Sequence, residues 1–94
     1  MSMNDMQKKF FEHLTVIQKS CVENCMAKHG TSDKDTENLM YDVTYDVITK
    51  MLEMIDGYSD YSNDRHDIVN TATGEGLKND PFIELHDMTE NFLK

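Results

Sequence analysis

The sequence predicts a mostly α-helical fold: an antiparallel helical hairpin, a short β-like excursion and a C-terminal helix. Three observations predict it. Two long stretches carry apolar residues at helical spacing, each closes on a glycine, and a single proline follows an aspartate at the head of a third apolar stretch. The alternative within the same reading is an α+β fold with a small β-hairpin. At 94 residues the chain is expected to form one domain spanning 1–94. A chain of this size buries a modest core, and oligomerisation commonly makes up the difference.

The first helix is predicted from about Asn4 to His29. Met6, Phe10, Leu14, Ile17, Cys21 and Cys25 recur at steps of three and four, with Phe11, Val22 and Met26 widening the stripe. Lys28 and His29 suit the negative end of the helix dipole, and Gly30 suits the residue that ends it. Thr31, Ser32 and Asp33 offer N-caps for a second helix over about 33–56, with Ser32 and Asp35 resembling a capping box. Its core stripe reads Met40, Thr44, Val47, Ile48, Met51 and Ile55, broadened by Tyr41, Tyr45 and Leu52, and Gly57 closes it. The short connection between the two makes them antiparallel.

Residues 58–79 read as a polar loop and a possible hairpin. His66 to Asn70 is β-like, the run from Thr71 to Gly74 offers a turn, and Glu75 to Leu77 offers a return strand. Asp80 as N-cap and Pro81 at the first helical position start a third helix, predicted over about 81–93.

The net charge is −9, unevenly placed: residues 1–30 hold three acids and four bases, and residues 31–94 hold fifteen acids and five bases. Such a field repels phosphates and anionic membranes, so direct nucleic-acid and membrane binding are not expected, whereas a basic protein surface is a good electrostatic match. No apolar run approaches the roughly 20 residues that span a bilayer, and the polar N-terminus lacks a signal-peptide core, so the expected location is the cytoplasm. Cys21 and Cys25, one helical turn apart on the core stripe, are expected to be free, buried thiols. In size and acidity the chain resembles small accessory proteins of bacteria and phages, a resemblance of composition alone.

Candidate chemistry is sparse. Asp56, Asp60, Ser62, Asp64 and Asp67 fall at positions 1, 5, 7, 9 and 12 of a 12-residue window following a helix, as in a calcium-binding loop. Tyr61 stands where that loop needs glycine, Tyr58 stands at the third position, and Asp67 replaces the bidentate glutamate. The metal-ligand candidates are Asp56, Asp60, Asp64 and Asp67. Glu84 and Asp87 share a face of the third helix, with His86 pointing elsewhere and no nucleophile beside them. The four histidines and two cysteines lack the paired spacing of a zinc site. No phosphate loop, dinucleotide fingerprint or nucleophile elbow is present, so the chain is read as non-enzymatic and no cofactor is predicted.

All four tyrosines lie within 21 residues, among Asp42, Asp46, Asp56, Asp60 and Asp64. Tyrosine offers large contact area with a polar tip, so Tyr41, Tyr45, Tyr58 and Tyr61, with Asp42 and Asp46, form the predicted interaction surface. The leading functional expectation is a protein-interaction module binding a basic protein. The alternatives are an obligate homodimer whose two hairpins form a four-helix bundle, and a divalent-cation-binding protein using residues 56–67.

Overall fold

The computed structural model describes residues 2–94 and is mostly α-helical. Helix α1 runs Asp5–Lys28 and helix α2 runs Lys34–Asp56. Irregular chain follows to a 3₁₀ segment, Leu85–Asn91.

Asn4 and Gln7 start α1 with a reciprocal capping box: the Asn4 side chain accepts from the Gln7 N–H, and the Gln7 side chain accepts from the Asn4 N–H, each at 2.8 Å. Gly30 turns the chain at φ 65°, and Thr31 N–H reaches back to Met26 O at 3.0 Å. The cap of α2 is Asp33, not Ser32. Its carboxylate accepts from Thr36 N at 3.0 Å and from the Thr36 hydroxyl at 2.8 Å, which holds its carboxyl below the ordinary range. Gly57 ends α2 at φ 89°, and a side chain there would meet the carbonyl oxygens of Asn63 and Asp64 at 2.9 Å.

The helices pack antiparallel. Near the turn, Cys21 and Cys25 face Leu39, Met40 and Val43 across a groove. Midway, Gln18 Nε2 donates to Tyr41 O at 3.2 Å and Thr44 Oγ1 at 3.1 Å. At the open end Phe11 and Leu52 share the core with Leu77, Ile83 and Leu85.

The segment after α2 contains no strand among the described residues. The expected hairpin is reduced to one Val69–Gly76 bridge flanked by the bonds Asn70 N to Glu75 O and Leu77 N to Ile68 O, both 2.9 Å. Leu77 is buried but Val69 is half exposed, so only one side of this excursion is anchored. The mostly α class holds, and the α+β alternative does not.

The third helix is also shorter than expected. Asp80 and Pro81 do not start a helix; they form a turn bracketed by an Asn79–Phe82 bridge. Their carbonyls are taken by side chains of α1: the Asn4 side-chain amide donates to Asp80 O, and Gln7 Nε2 donates to Pro81 O at 2.8 Å. The C-terminal segment is therefore docked by its backbone onto the start of α1 and becomes helical only from Leu85, as one 3₁₀ piece. Its apolar side chains still enter the core. Leu85 is fully buried, and Phe92 stacks on Phe11 at 5.4 Å between ring centres. Truncating Leu85 to Ala is expected to cost about 2–5 kcal/mol.

The buried face of α1 lies on one flank of the expected stripe. Phe11, Val22 and Met26, expected to widen that stripe, are buried, and Gln7 and Gln18 are buried with them although no apolar pattern includes them. Ile17 and Cys21 on that predicted stripe are exposed. The reason is visible in the polar contacts. Gln7 and Gln18 are buried because they satisfy backbone carbonyls of the C-terminal segment and α2, including Lys94 O, which Gln18 reaches at 3.1 Å.

Candidate functional site

Two features stand apart from ordinary packing: a buried polar cluster at the end of α2, and an uncovered apolar face along both helices.

The polar cluster is centred on Asp56. This residue ends α2, whose last turn holds no basic residue, so an anion sits at the negative end of the helix dipole. Compensation comes from later in the chain. Lys78 Nζ lies 2.7 Å from Asp56 Oδ1, and both side chains are almost wholly buried. Asp56 Oδ2 accepts from the His86 backbone N–H at 2.9 Å and meets His86 Nδ1 at 2.6 Å. Burial pushes the Asp56 carboxyl up, but the Lys78 ammonium and the hydrogen bonds from His86 and Leu85 outweigh it and hold the group below the usual carboxylate range. Lys78 Nζ is also 4.0 Å from Glu84 Oε2, and Glu84 Oε1 is 3.3 Å from Arg65. Charges thus alternate from Asp56 through Lys78 and Glu84 to Arg65.

His86 Nε2 faces Asp87 Oδ1 at 3.2 Å, so the two residues do share a side, contrary to the helical expectation. The cause is local, since the segment is 3₁₀ rather than α. Both imidazole nitrogens are turned to carboxylates. Asp56, Glu84 and His86 bring ligand atoms within 4.8 Å of one another, but the Lys78 ammonium lies among them and supplies the positive charge that a bound cation would bring.

The four carboxylates predicted as metal ligands do not converge among the described residues. Asp56 is buried against Lys78. Asp67 holds the excursion closed, accepting from Ile68 N at 2.7 Å and Lys78 N at 3.1 Å. Asp60 and Asp64 are exposed.

The predicted tyrosine surface divides in two. Tyr58 and Tyr61 are exposed at 60% and 69%, Tyr58 with its ring edge-on to His86 and Tyr61 beside His66. Tyr41 and Tyr45 are half-buried on the side of α2 that meets the C-terminal segment. The Lys94 ammonium lies 5.0 Å above the Tyr41 ring, and Tyr45 borders a small polar pocket with Thr49 and His86. Asp42 and Asp46 are exposed on α2.

The apolar face lies on the other side of the hairpin. On α2, Leu39, Val43, Val47 and Met51 follow one another at a spacing of four and are each more than half exposed. Across from Leu39 and Val43 on α1 stands the exposed Cys21, with the exposed Ile17 one turn before it. Between the helices near the turn, Cys21, Val22, Cys25, Leu39, Met40, Val43 and Thr44 line an open groove of about 380 Å³. Val47 and Met51 belong to the stripe that the sequence assigns to the core, as do Ile17 and Cys21. Their apolar periodicity is real, but among the described residues no layer covers them.

Among the described residues no helix is long and apolar enough to cross a membrane. Comparison of the chain with protein-family models, with curated proteins and with solved structures gives no match.

Proposed function

We propose that the protein is a non-enzymatic interaction module that docks a helical protein surface onto the uncovered side of its α1/α2 hairpin. The carrying observation is the line of Leu39, Val43, Val47 and Met51, over half exposed across three turns of α2, with the exposed Cys21 across the groove and Ile17 one turn before it on α1. Scattered exposed apolar residues need no explanation, whereas a continuous stripe over two helices marks an interaction face. The polar cluster fits a supporting role, because an imidazole held at both nitrogens by Asp56 and Asp87 pins the C-terminal segment to α2.

A photo-crosslinking amino acid placed at Val43 in the producing cells tests the reading. It is expected to give a discrete protein adduct, to another chain or to a copy of the same one. A crosslinker at Val43 that forms no protein adduct, in a protein that still folds, rejects the docking face.

A second contact area is favoured by the exposure of Tyr58 and Tyr61 beside Asp60 and Asp64. Aromatic anchors surrounded by carboxylates suit a basic protein surface, with the charges setting association rate and the tyrosines residence time.

A further inference from the structure

We infer that the occupant of the uncovered face is a second copy of this chain, related by a two-fold axis parallel to the helices, so that α1 of each copy lies against α2 of the other. The inference rests on the docking reading above and names its partner.

The size of the face fits. Leu39, Val43, Val47, Met51 and Ile17 together leave on the order of 500 Å² of apolar surface open, at the upper end of what monomers carry. Two such faces meeting bury about 1,000 Å², where specific association begins, before any rim contact is added. Helix α2 presents apolar residues over three turns and α1 adds Ile17 and Cys21 one turn apart, the kind of inner face from which a four-helix bundle is built.

The charges select the arrangement. Helix α1 carries Lys8, Lys9, Lys19 and Lys28 against Asp5, Glu12 and Glu23, a slight positive excess. Helix α2 carries Asp35, Glu37, Asp42, Asp46, Glu53 and Asp56 against Lys34 and Lys50, a clear negative excess. A bundle that set α2 against α2 would bring acid to acid. Setting α1 against α2 of the second copy joins unlike charges. Levels agree as well. Within one copy Phe11 shares the core with Leu52, and Cys25 shares the groove with Leu39. An axis parallel to the helices preserves those levels, so Lys28 comes level with Asp35 of the second copy. Lys28 and Asp35 are exposed, so their charges are free to act at the rim.

The test uses the purified full chain and two substituted forms, K28E and D35K, followed by sedimentation equilibrium at low salt. These surface changes leave the apolar core untouched, and far-UV circular dichroism checks that both forms fold. The wild-type chain is expected to dimerise, with Cys21 alkylation by a maleimide slowing as concentration rises. Each substituted form alone is expected to dimerise at least tenfold more weakly. An equimolar mixture is expected to recover a heterodimer, although both forms keep a net negative charge, because every α1–α2 contact again joins unlike signs. A wild-type chain that stays monomeric at the highest soluble concentration overturns the inference, and a Val43 adduct to a different protein would then leave the docking reading standing. A dimer in which Cys21 stays freely alkylated, or in which the mixture shows no recovery, also overturns it by placing the contact elsewhere.

Discussion

Replacing Lys78 by Met gives the sharpest test of what holds the C-terminal half to the helical hairpin. The Lys78 side chain is 4% exposed and that of Asp56 is 0% exposed, with 2.7 Å between Nζ and Oδ1. Methionine keeps most of the volume but strips the carboxylate of its cation, leaving it buried with only the His86 and Leu85 contacts. Breaking one side of a buried pair costs about 3–5 kcal/mol, a large share of the roughly 5–14 kcal/mol a domain of this length has in total. Urea unfolding at neutral pH is the assay, run as a double-mutant cycle with D56N and D56N/K78M. The double variant is expected to be more stable than K78M alone, because it removes the uncompensated charge. The pH dependence has a definite sign. In the wild type the folded-state carboxyl of Asp56 lies below its unfolded value, so its contribution is complete above about pH 4 and is lost as pH falls through the folded value. In K78M burial acts with less opposition and the folded value rises, so the gap between wild type and variant should narrow as pH drops from 5 toward 2. A K78M protein as stable as wild type at pH 7, or a gap that widens in acid, refutes the reasoning.

Replacing Gln7 by Leu should destabilise by about 2–4 kcal/mol in thermal or urea unfolding, since it frees Leu77 O, Pro81 O and Asn4 N–H together. Gly57→Ala should cost about 2–3 kcal/mol by the same measurement, combining a left-handed backbone with a 2.9 Å approach to two carbonyl oxygens. Replacing Tyr58 and Tyr61 by Ala should shift stability by less than about 1 kcal/mol, yet weaken binding to a basic protein surface by about 1–3 kcal/mol in calorimetry. A double variant that unfolds, while its folded fraction binds as before, would place those rings in the core instead.

The helices were legible because their signals are local. Gly30 and Gly57 mark ends by their own backbone requirements, and the apolar period sits within each segment. The C-terminal part was not legible for the same reason. Asp80-Pro81 carries a helix-start signal, but Asn4 and Gln7, more than 70 positions earlier, draw their bonding partners from that turn, and no local rule contains those contacts. The buried face of α1 was legible in Phe11, Val22 and Met26 but not in its glutamines, since nothing near Gln7 or Gln18 in sequence says that distant carbonyls will make burial of a glutamine favourable. The polar cluster left one trace. Asp56 stands at the wrong end of a helix for an anion, which calls for a cation from elsewhere, but the identity of Lys78 depends on the path of the excursion. The tyrosine cluster was visible as composition, while its division between the exposed Tyr58 and Tyr61 and the half-buried Tyr41 and Tyr45 follows from the C-terminal segment lying along one side of α2.

That same segment explains why the apolar face cannot be covered from within the described chain. It is fixed to one side of the hairpin along its whole length. Gln7 holds Leu77 and Pro81, Thr49 bonds Thr89 at 3.0 Å, Thr15 reaches Phe92 O, and Gln18 bonds Lys94 in both directions at 3.1 Å. Asp56 adds the ion pair to Lys78 and the bonds to His86. Swinging the segment across to Leu39, Val43 and Val47 would break all of these and expose Phe11, Leu77 and Leu85, which lie at or near zero exposure. The loss would exceed what burying three half-exposed side chains returns at roughly 25 cal/mol per Å². The hairpin therefore has one face committed to its own C-terminus by polar contacts that fix register, and one left apolar and free of such contacts. A face of the second kind favours the proposed docking of a preformed helical layer, and the opposite charge excess of α1 and α2 favours a second hairpin of the same sequence as the proposed occupant.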